Sequence, residues 1–87
     1  MATTKDTIRR WLANAPKNTG HMFVVCDTFD WEDYPMYVPR DMDVSEAVNS
    51  NHKVNMQNIM EIYDMDEDWE YQLNVTRAGQ EWLNHEN

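Results

Sequence analysis

The hydrophobic pattern at the start of the chain has the spacing of an α-helix. Apolar residues fall at positions i, i+3, i+4 and i+7 from Ile8 to Ala15, so one face of a helix can point into a core. Thr3 or Thr4 can cap the first turn of this helix. The segment PKNTG, residues 16–20, predicts the end of the helix and a turn.

Residues 21–27 have the pattern of a strand that is buried on both sides. The side chains of Met22, Val24 and Cys26 point to one face of this strand. Those of Phe23 and Val25 point to the other face. Because both faces are apolar, we predict a central strand.

A second, shorter strand is predicted at Met36–Val38. Pro35 and Pro39 flank it, and proline is confined to strand ends or to the edge of a sheet because it lacks a backbone N–H. We expect this strand to pair antiparallel with residues 21–27, across an acidic loop.

The middle of the chain predicts a short helix followed by an ambiguous segment. Asp43 and Glu46 have the spacing of a capping box and indicate a helix of one or two turns. Residues 55–64 fit either a helical stripe or strand alternation. We favour a strand at Ile59–Tyr63, because three strands make a more stable sheet than two.

The last segment predicts a helix over residues 69–82, capped by Asp66 or Asp68. One face of this helix carries Trp69 and Leu73 and is expected to cover the sheet. A second apolar face exceeds what a small core needs, so we predict a homodimer through it, although Trp82 could instead join the core. The residues of this predicted dimer contact are Tyr71, Val75, Ala78 and Trp82.

These elements predict a single α+β domain over residues 1–87. Its small antiparallel sheet has about three strands with flanking helices, in the order α-β-β-α-β-α. A single core in 87 residues gives modest stability, which association with a copy or a partner would increase.

The formal net charge of −9 is unevenly distributed. Residues 1–20 carry a net positive charge, whereas residues 27–70 hold thirteen carboxylates against only Arg40 and Lys53. Such a field repels phosphate backbones and anionic lipids, so we expect no direct binding to nucleic acid or membrane and an attraction to basic protein surfaces. The alternative is a solvated surface that only maintains solubility.

Cys26 is the single cysteine, so no intramolecular disulfide can form and a cytoplasmic location fits best. The first residues lack the apolar core of a signal peptide, and no segment has the length of a membrane span. No metal or other cofactor is predicted. The Asp64-x-Asp66-x-Asp68 pattern begins like a calcium loop, but Trp69 and Val75 replace its turn glycine and final glutamate.

The strongest candidate site is the segment from Val24 to Tyr37, where acidic and aromatic side chains are interleaved. Trp31 and Tyr34 could fold back over the sheet, or they could anchor a partner, since Trp and Tyr often dominate interface energy. No nucleotide-binding glycine loop or catalytic signature is present, so we predict a protein that is not an enzyme. The predicted partner-binding residues are Asp30, Trp31, Glu32, Asp33, Tyr34, Asp64, Asp66, Glu67 and Asp68.

The block HMFVVCDTFDWEDYP, with the later MEIYDMDEDWEYQLN, resembles small accessory proteins of tailed phages and prophages that share a pattern close to HMxVVCDTFDxEDYP. The resemblance implies a context, because phage accessory genes of this size often encode inhibitors of host machinery. These include anti-defence proteins of the anti-CRISPR type, some of which are acidic DNA mimics. The predicted function is therefore inhibition of a basic host protein, such as a nucleic-acid-binding defence complex, in the host cytoplasm. The alternative is a homo-oligomeric binding module or sponge for a small nucleotide signal, built from Arg9, Arg10 and aromatic side chains.

Overall fold

The order of the elements along the chain matches the α-β-β-α-β-α prediction. The computed structural model describes residues 3–75, and it forms an α+β fold with one antiparallel sheet. The elements are α1 (Lys5–Ala13), β1 (Thr19–Asp27), β2 (Glu32–Pro39), α2 (Val44–Asn51), β3 (Gln57–Asp64) and a third helix, α3, which begins at Trp69 and is described to residue 75.

Helix α1 begins as the sequence indicates, but the strand after it begins earlier than predicted. The Thr4 hydroxyl caps α1 by accepting the Thr7 N–H at 3.2 Å. The prediction that residues 16–20 form only a turn is wrong at its end, because Thr19 and Gly20 belong to β1. A Cβ on Gly20 would lie 3.0 Å from the Cα of Arg40, so glycine permits a close approach of two backbones here.

Strand β1 is central, as its two apolar faces predict, and the strand order is β2-β1-β3. The sheet lies between α1 and α3 on one face and α2 on the other. The α1 side of the core contains Ile8, Leu12, Met22, Val24, Tyr63 and Leu73, and the α2 side contains Phe23, Val25, Val38 and Ala47.

Strand β2 is an edge strand, as its prolines indicate, but it is much longer than the predicted Met36–Val38. It pairs with β1 from Glu32 to Pro39 and includes Pro35, which lies opposite Val24. At an edge strand every second residue directs its N–H away from the sheet, so a proline at such a position removes no ladder hydrogen bond. The connecting loop therefore shrinks to residues 28–31.

The ambiguous segment forms strand β3, which confirms the preference for a strand and extends it beyond Ile59–Tyr63. Side chains occupy parts of its outer edge. The Ile59 N–H donates to His52 Nδ1 at 3.0 Å. The Gln72 amide accepts the Asp64 N–H at 2.7 Å and donates to the Asp64 carbonyl at 2.8 Å. These contacts replace a neighbouring strand and limit edge-to-edge association.

Helix α3 is held beside α1 by polar contacts above a shared apolar core. Arg9 donates two hydrogen bonds to the Glu70 carboxylate, at 2.6 and 2.8 Å, and Leu73 is fully buried below them. Asp68 caps the helix by accepting the Tyr71 N–H at 3.1 Å, so of the two predicted caps it is Asp68 that serves.

Candidate partner-binding site

The β1–β2 loop holds two large aromatic side chains in solvent. Phe29 is 78% exposed and Trp31 is 61% exposed. The Trp31 N–H donates to the Asp27 carbonyl at 2.7 Å, and Trp31 has a φ of 61°, in the left-handed region that glycine or asparagine normally fills. A tryptophan at such a position costs about 1–2 kcal/mol of backbone strain.

The loop that leads into β3 lies against this hairpin and adds a third apolar side chain. The Thr28 N–H and hydroxyl both donate to the Met56 carbonyl, at 2.7 and 2.8 Å. Met56 is 57% exposed and also has a left-handed backbone, with a φ of 62°. We define Phe29, Trp31 and Met56 as the apolar tip.

The sequence prediction named Trp31 but not the other two members of the apolar tip. The position of Phe29 between Asp27 and Asp30 in a short loop was a usable signal of exposure. The sequence did not indicate that Met56 is exposed, because Met56 fitted the apolar stripe of the ambiguous segment, and such a stripe predicts burial.

Three carboxylates follow the apolar tip at the start of β2. Asp30 accepts the Glu32 N–H at 3.0 Å, which tightens the loop, and Asp33 accepts the Thr3 hydroxyl. Within residues 3–75 no Lys, Arg or His side chain forms a salt bridge with Asp30, Glu32 or Asp33. We define these three residues as the hairpin acids.

Tyr34 folds back over the sheet, which was one of the two alternatives for it. Its hydroxyl donates to the Gln57 side chain, and its ring packs against the α2 side of the core. Burial, followed by the nearby charge of Asp27, raises the pKa of its phenol. Trp31 is 61% exposed instead, so the two candidate anchors have different environments.

The structure does not bring the other predicted partner-binding acids, Asp64, Asp66, Glu67 and Asp68, together with the hairpin acids. We call these four residues the second acidic group. Glu32 lies opposite Asp27 at the end of β1, whereas Asp64 lies opposite His21 near its start. Six residues of strand separate these positions, which corresponds to about 20 Å. The predicted partner-binding residues therefore form two groups at opposite ends of the sheet.

Most of the second group has roles within the fold. Arg40 donates two hydrogen bonds to the Asp66 carboxylate, at 2.6 and 2.9 Å, and these bonds lower the pKa of Asp66. Asp64 accepts the Asp66 N–H at 2.9 Å, and Asp68 caps α3. Glu67 is exposed. This end of the sheet is thus partly neutralised, unlike the hairpin end.

The predicted dimer contact can be followed only in its first half. Tyr71 is 68% exposed and Val75 is 50% exposed, while Leu73 between them is buried. Ala78 and Trp82 lie outside the described residues. Helix α3 therefore presents one face to the core and the start of a second apolar face to solvent.

Other candidate chemistry finds little geometric support. Cys26 and His21 point to opposite faces of β1, and burial, together with Asp33, raises the pKa of the Cys26 thiol and disfavours its reactive thiolate. Arg9, which the nucleotide-sponge alternative uses, is already bound by Glu70 and Asp6. Among residues 3–75, no group of three or more His, Cys, Asp or Glu side chains is placed to hold a metal ion.

Comparison with known proteins adds no relative. No protein family, curated protein or solved structure matches the chain. No helix in the described part of the chain combines the length and apolar character needed to cross a membrane.

Proposed function

We propose that this chain is a non-enzymatic protein that binds and blocks a basic surface of a host protein through the apolar tip and the hairpin acids. The phage-type sequence block suggests the setting, which is the cytoplasm of a bacterial host during infection. A nucleic-acid-binding defence complex is the class of partner with the required positive surface.

The observation that carries this proposal is the difference between the two ends of the sheet. At one end Asp66 is neutralised by Arg40. At the other end the hairpin acids have no cationic partner within residues 3–75, and they adjoin two aromatic side chains that are more than half exposed. Exposed apolar groups beside unneutralised charge favour a protein contact, because the apolar groups supply affinity and the charges direct the encounter.

The hydrogen bonds that hold the hairpin together support the same proposal. Thr28 is bonded twice to Met56, and the loop is closed by the hydrogen bond from Trp31 to Asp27. A contact surface that is already ordered loses less conformational entropy on binding, typically about 0.5–1.5 kcal/mol less for each side chain that need not be immobilised. Trp31 also has a strained left-handed backbone, and strain of this kind is concentrated at functional sites of proteins.

Any mimicry of nucleic acid would rest on the hairpin acids. Asp66 and Asp68 are engaged in an ion pair and a helix cap, so they are less available to occupy phosphate positions on a partner. Glu67 is exposed but lies at the other end of the sheet.

The test compares two triple variants that remove the same charge. Asp30→Asn/Glu32→Gln/Asp33→Asn neutralises the hairpin acids while keeping the side-chain acceptors of residues 30 and 33. The control neutralises three exposed carboxylates elsewhere, at Asp41, Glu46 and Glu67. We expect proteins captured from bacterial lysate by the wild type and by the control to be lost with the hairpin variant.

Binding of the captured partner is then measured against salt concentration. We expect slower association and a smaller salt dependence for the hairpin variant, because electrostatic steering acts mainly on the association rate. Equal capture and equal salt dependence for both triple variants would contradict the proposal.

Self-association through α3 remains a separate prediction. The exposed Tyr71 and Val75 form the start of the second apolar face, and an ordinary monomer leaves few such faces uncovered. Sedimentation of the full chain and of Tyr71→Glu tests it, since an unpaired carboxylate would have to lose its hydration in the contact. A wild-type protein that stays monomeric at tens of micromolar, about the range of a weak dimer, would contradict this prediction.

A further inference from the structure

A cleft of about 570 Å³ lies between α2 and β3, and the partner-binding site does not use it. Its apolar lining includes Val44 and Val48 of α2 and Ile62 of β3, and its polar end includes His21, Asp64 and Gln72. The volume falls within the range of about 300–1,000 Å³ that is typical of ligand sites. The cleft is at the end of the sheet opposite the apolar tip, so it is independent of the proposed function.

The apolar part of the cleft exists because α2 is too short to cover the sheet. Ile62 lies opposite Phe23 in the β-ladder, yet Phe23 is fully buried and Ile62 is 40% exposed. Helix α2 has only eight residues, and its one buried side chain, Ala47, packs with the cluster around Phe23. The side chain of Ile62 is therefore a wet apolar surface within a concave site.

The polar end of the cleft has a negative charge with an open acceptor. Asp64 Oδ1 accepts the Asp66 N–H at 2.9 Å, while Oδ2 has His21 Nε2 as its neighbour at 4.0 Å, beyond hydrogen-bond distance. The Asp64 side chain is 41% exposed. Among residues 3–75, no Lys or Arg lines the cleft, and the nearby Arg40 guanidinium is bonded to Asp66.

The backbone at the cleft adds a third element of recognition. The N–H and carbonyl of Asp64 bond to the Gln72 side chain, so both point away from β1. Ile62, two residues earlier, directs its own N–H and carbonyl to the same outer side, because these directions alternate along a strand. An extended peptide could pair with Ile62 there and place a side chain in the cleft.

We propose that this cleft binds an extended peptide segment carrying an arginine or lysine side chain. The peptide backbone pairs with Ile62 at the outer edge of β3. The cationic group lies at Asp64 Oδ2, and its aliphatic stem, with an apolar residue two positions away in the peptide, covers Ile62, Val44 and Val48, because alternate side chains of a strand share a face. A partner segment is favoured over a free amine because only a peptide uses the open backbone groups of the strand edge.

The test is a titration of the ¹⁵N-labelled full chain, followed by NMR, with three probes. The first is acetyl-Val-Thr-Arg-Thr-Val-amide, in which the valines lie on the same face as the arginine. The second replaces Arg by the neutral isostere citrulline, and the third is butylammonium, which lacks a peptide backbone. We expect saturable shifts at Ile62, Asp64 and Val48 with the arginine peptide, and about tenfold weaker binding of the citrulline peptide.

Variants separate the parts of the site. Asp64→Asn keeps the Oδ1 acceptor for the turn and removes the charge, so it should reduce the affinity for the arginine peptide to that for the citrulline peptide. Ile62→Thr should weaken both peptides. Asp6→Asn, on α1 at the opposite face of the sheet, changes the net charge equally and should leave both affinities unchanged.

Three results would overturn the proposal. They are absence of saturable shifts in the cleft, equal affinity of the arginine and citrulline peptides, and butylammonium binding as tightly as the arginine peptide. The last result would assign the cleft to a small amine instead. Failure of the hairpin variants to lose their partner would leave this titration unaffected, so the two proposals fail separately.

Discussion

Replacement of Trp31 tests whether the hairpin is built for contact or for stability. Trp31 has a φ of 61° and is 61% exposed. Trp31→Gly removes about 1–2 kcal/mol of left-handed strain. Two effects of this substitution lower the free energy of unfolding. Glycine makes the unfolded chain more flexible, which costs about 0.4–1 kcal/mol, and the buried two-fifths of Trp31 is lost, which costs about 1 kcal/mol. These contributions nearly cancel, so we expect the free energy of unfolding to change by less than about 1 kcal/mol.

The matched control is Trp31→Ala, which loses the same ring but keeps a Cβ in the left-handed region. Comparison of the two variants therefore isolates the backbone. We expect the glycine variant to be more stable than the alanine variant by about 1 kcal/mol, the reverse of the usual order. Urea unfolding followed by far-UV circular dichroism measures both, because that signal does not depend on the missing tryptophan.

Partner binding should respond very differently from stability. If Trp31 is an interface anchor, both variants should bind the captured partner about 30-fold more weakly, which corresponds to about 2 kcal/mol. A glycine variant that loses more than about 1.5 kcal/mol of stability, or is no more stable than the alanine variant, would refute the reasoning about the strained backbone. Unchanged partner affinity would remove Trp31 from the contact.

Three further predictions concern the scaffold. Gly20→Ala should lower the free energy of unfolding, measured in urea, by about 1–3 kcal/mol, because the added Cβ would lie 3.0 Å from the Arg40 Cα. Unchanged stability would show that the backbone at Arg40 moves away from residue 20 at little cost. Arg40 lowers the pKa of Asp66, so this pair stabilises the fold at pH values above the ordinary aspartate pKa, and the stabilisation is lost as the pH falls through the lowered pKa. NMR of the side-chain carboxyl groups should show that the pKa of Asp66 rises in Arg40→Gln. Burial and Asp33 raise the pKa of Cys26, so its reaction with a disulfide reagent should begin at higher pH than that of free cysteine, and Asp33→Asn should shift this onset to lower pH; an onset identical to that of free cysteine would contradict the burial argument.

The sequence by itself determined the order and type of the elements, except at residues 55–64, where the spacing of apolar residues fitted both a helix and a strand. Helical spacing from Ile8 to Leu12 and the two apolar faces of residues 22–25 specify which groups must be buried, and those groups form the two sides of the core. Caps such as Thr4 and Asp68 were predictable as well, because a cap needs only a short polar side chain within one turn of its own helix.

Tertiary structure decided where the strands end and which edges they form. Pro35 predicts the end of a strand, because proline has no N–H to donate to a neighbouring strand. Strand β2 lies at the edge of the sheet, where a proline can face away from the neighbouring strand, so β2 continues through Pro35. Similarly, Gln72 and His52 became substitutes for a neighbouring strand only because the fold placed them beside β3.

Tertiary structure also divided the acidic residues into different kinds. From the sequence, the acidic residues 30–33 and 64–68 were predicted to form one binding surface. The antiparallel sheet places these two groups at its opposite ends. Arg40 and Arg9, which are distant in sequence, neutralise Asp66 and Glu70, whereas no Lys, Arg or His within residues 3–75 pairs with the hairpin acids beside Phe29 and Trp31. Local pattern determines which side chains are charged or apolar, but the free energy of a charge depends on its distance from other charges, and only the folded chain fixes those distances.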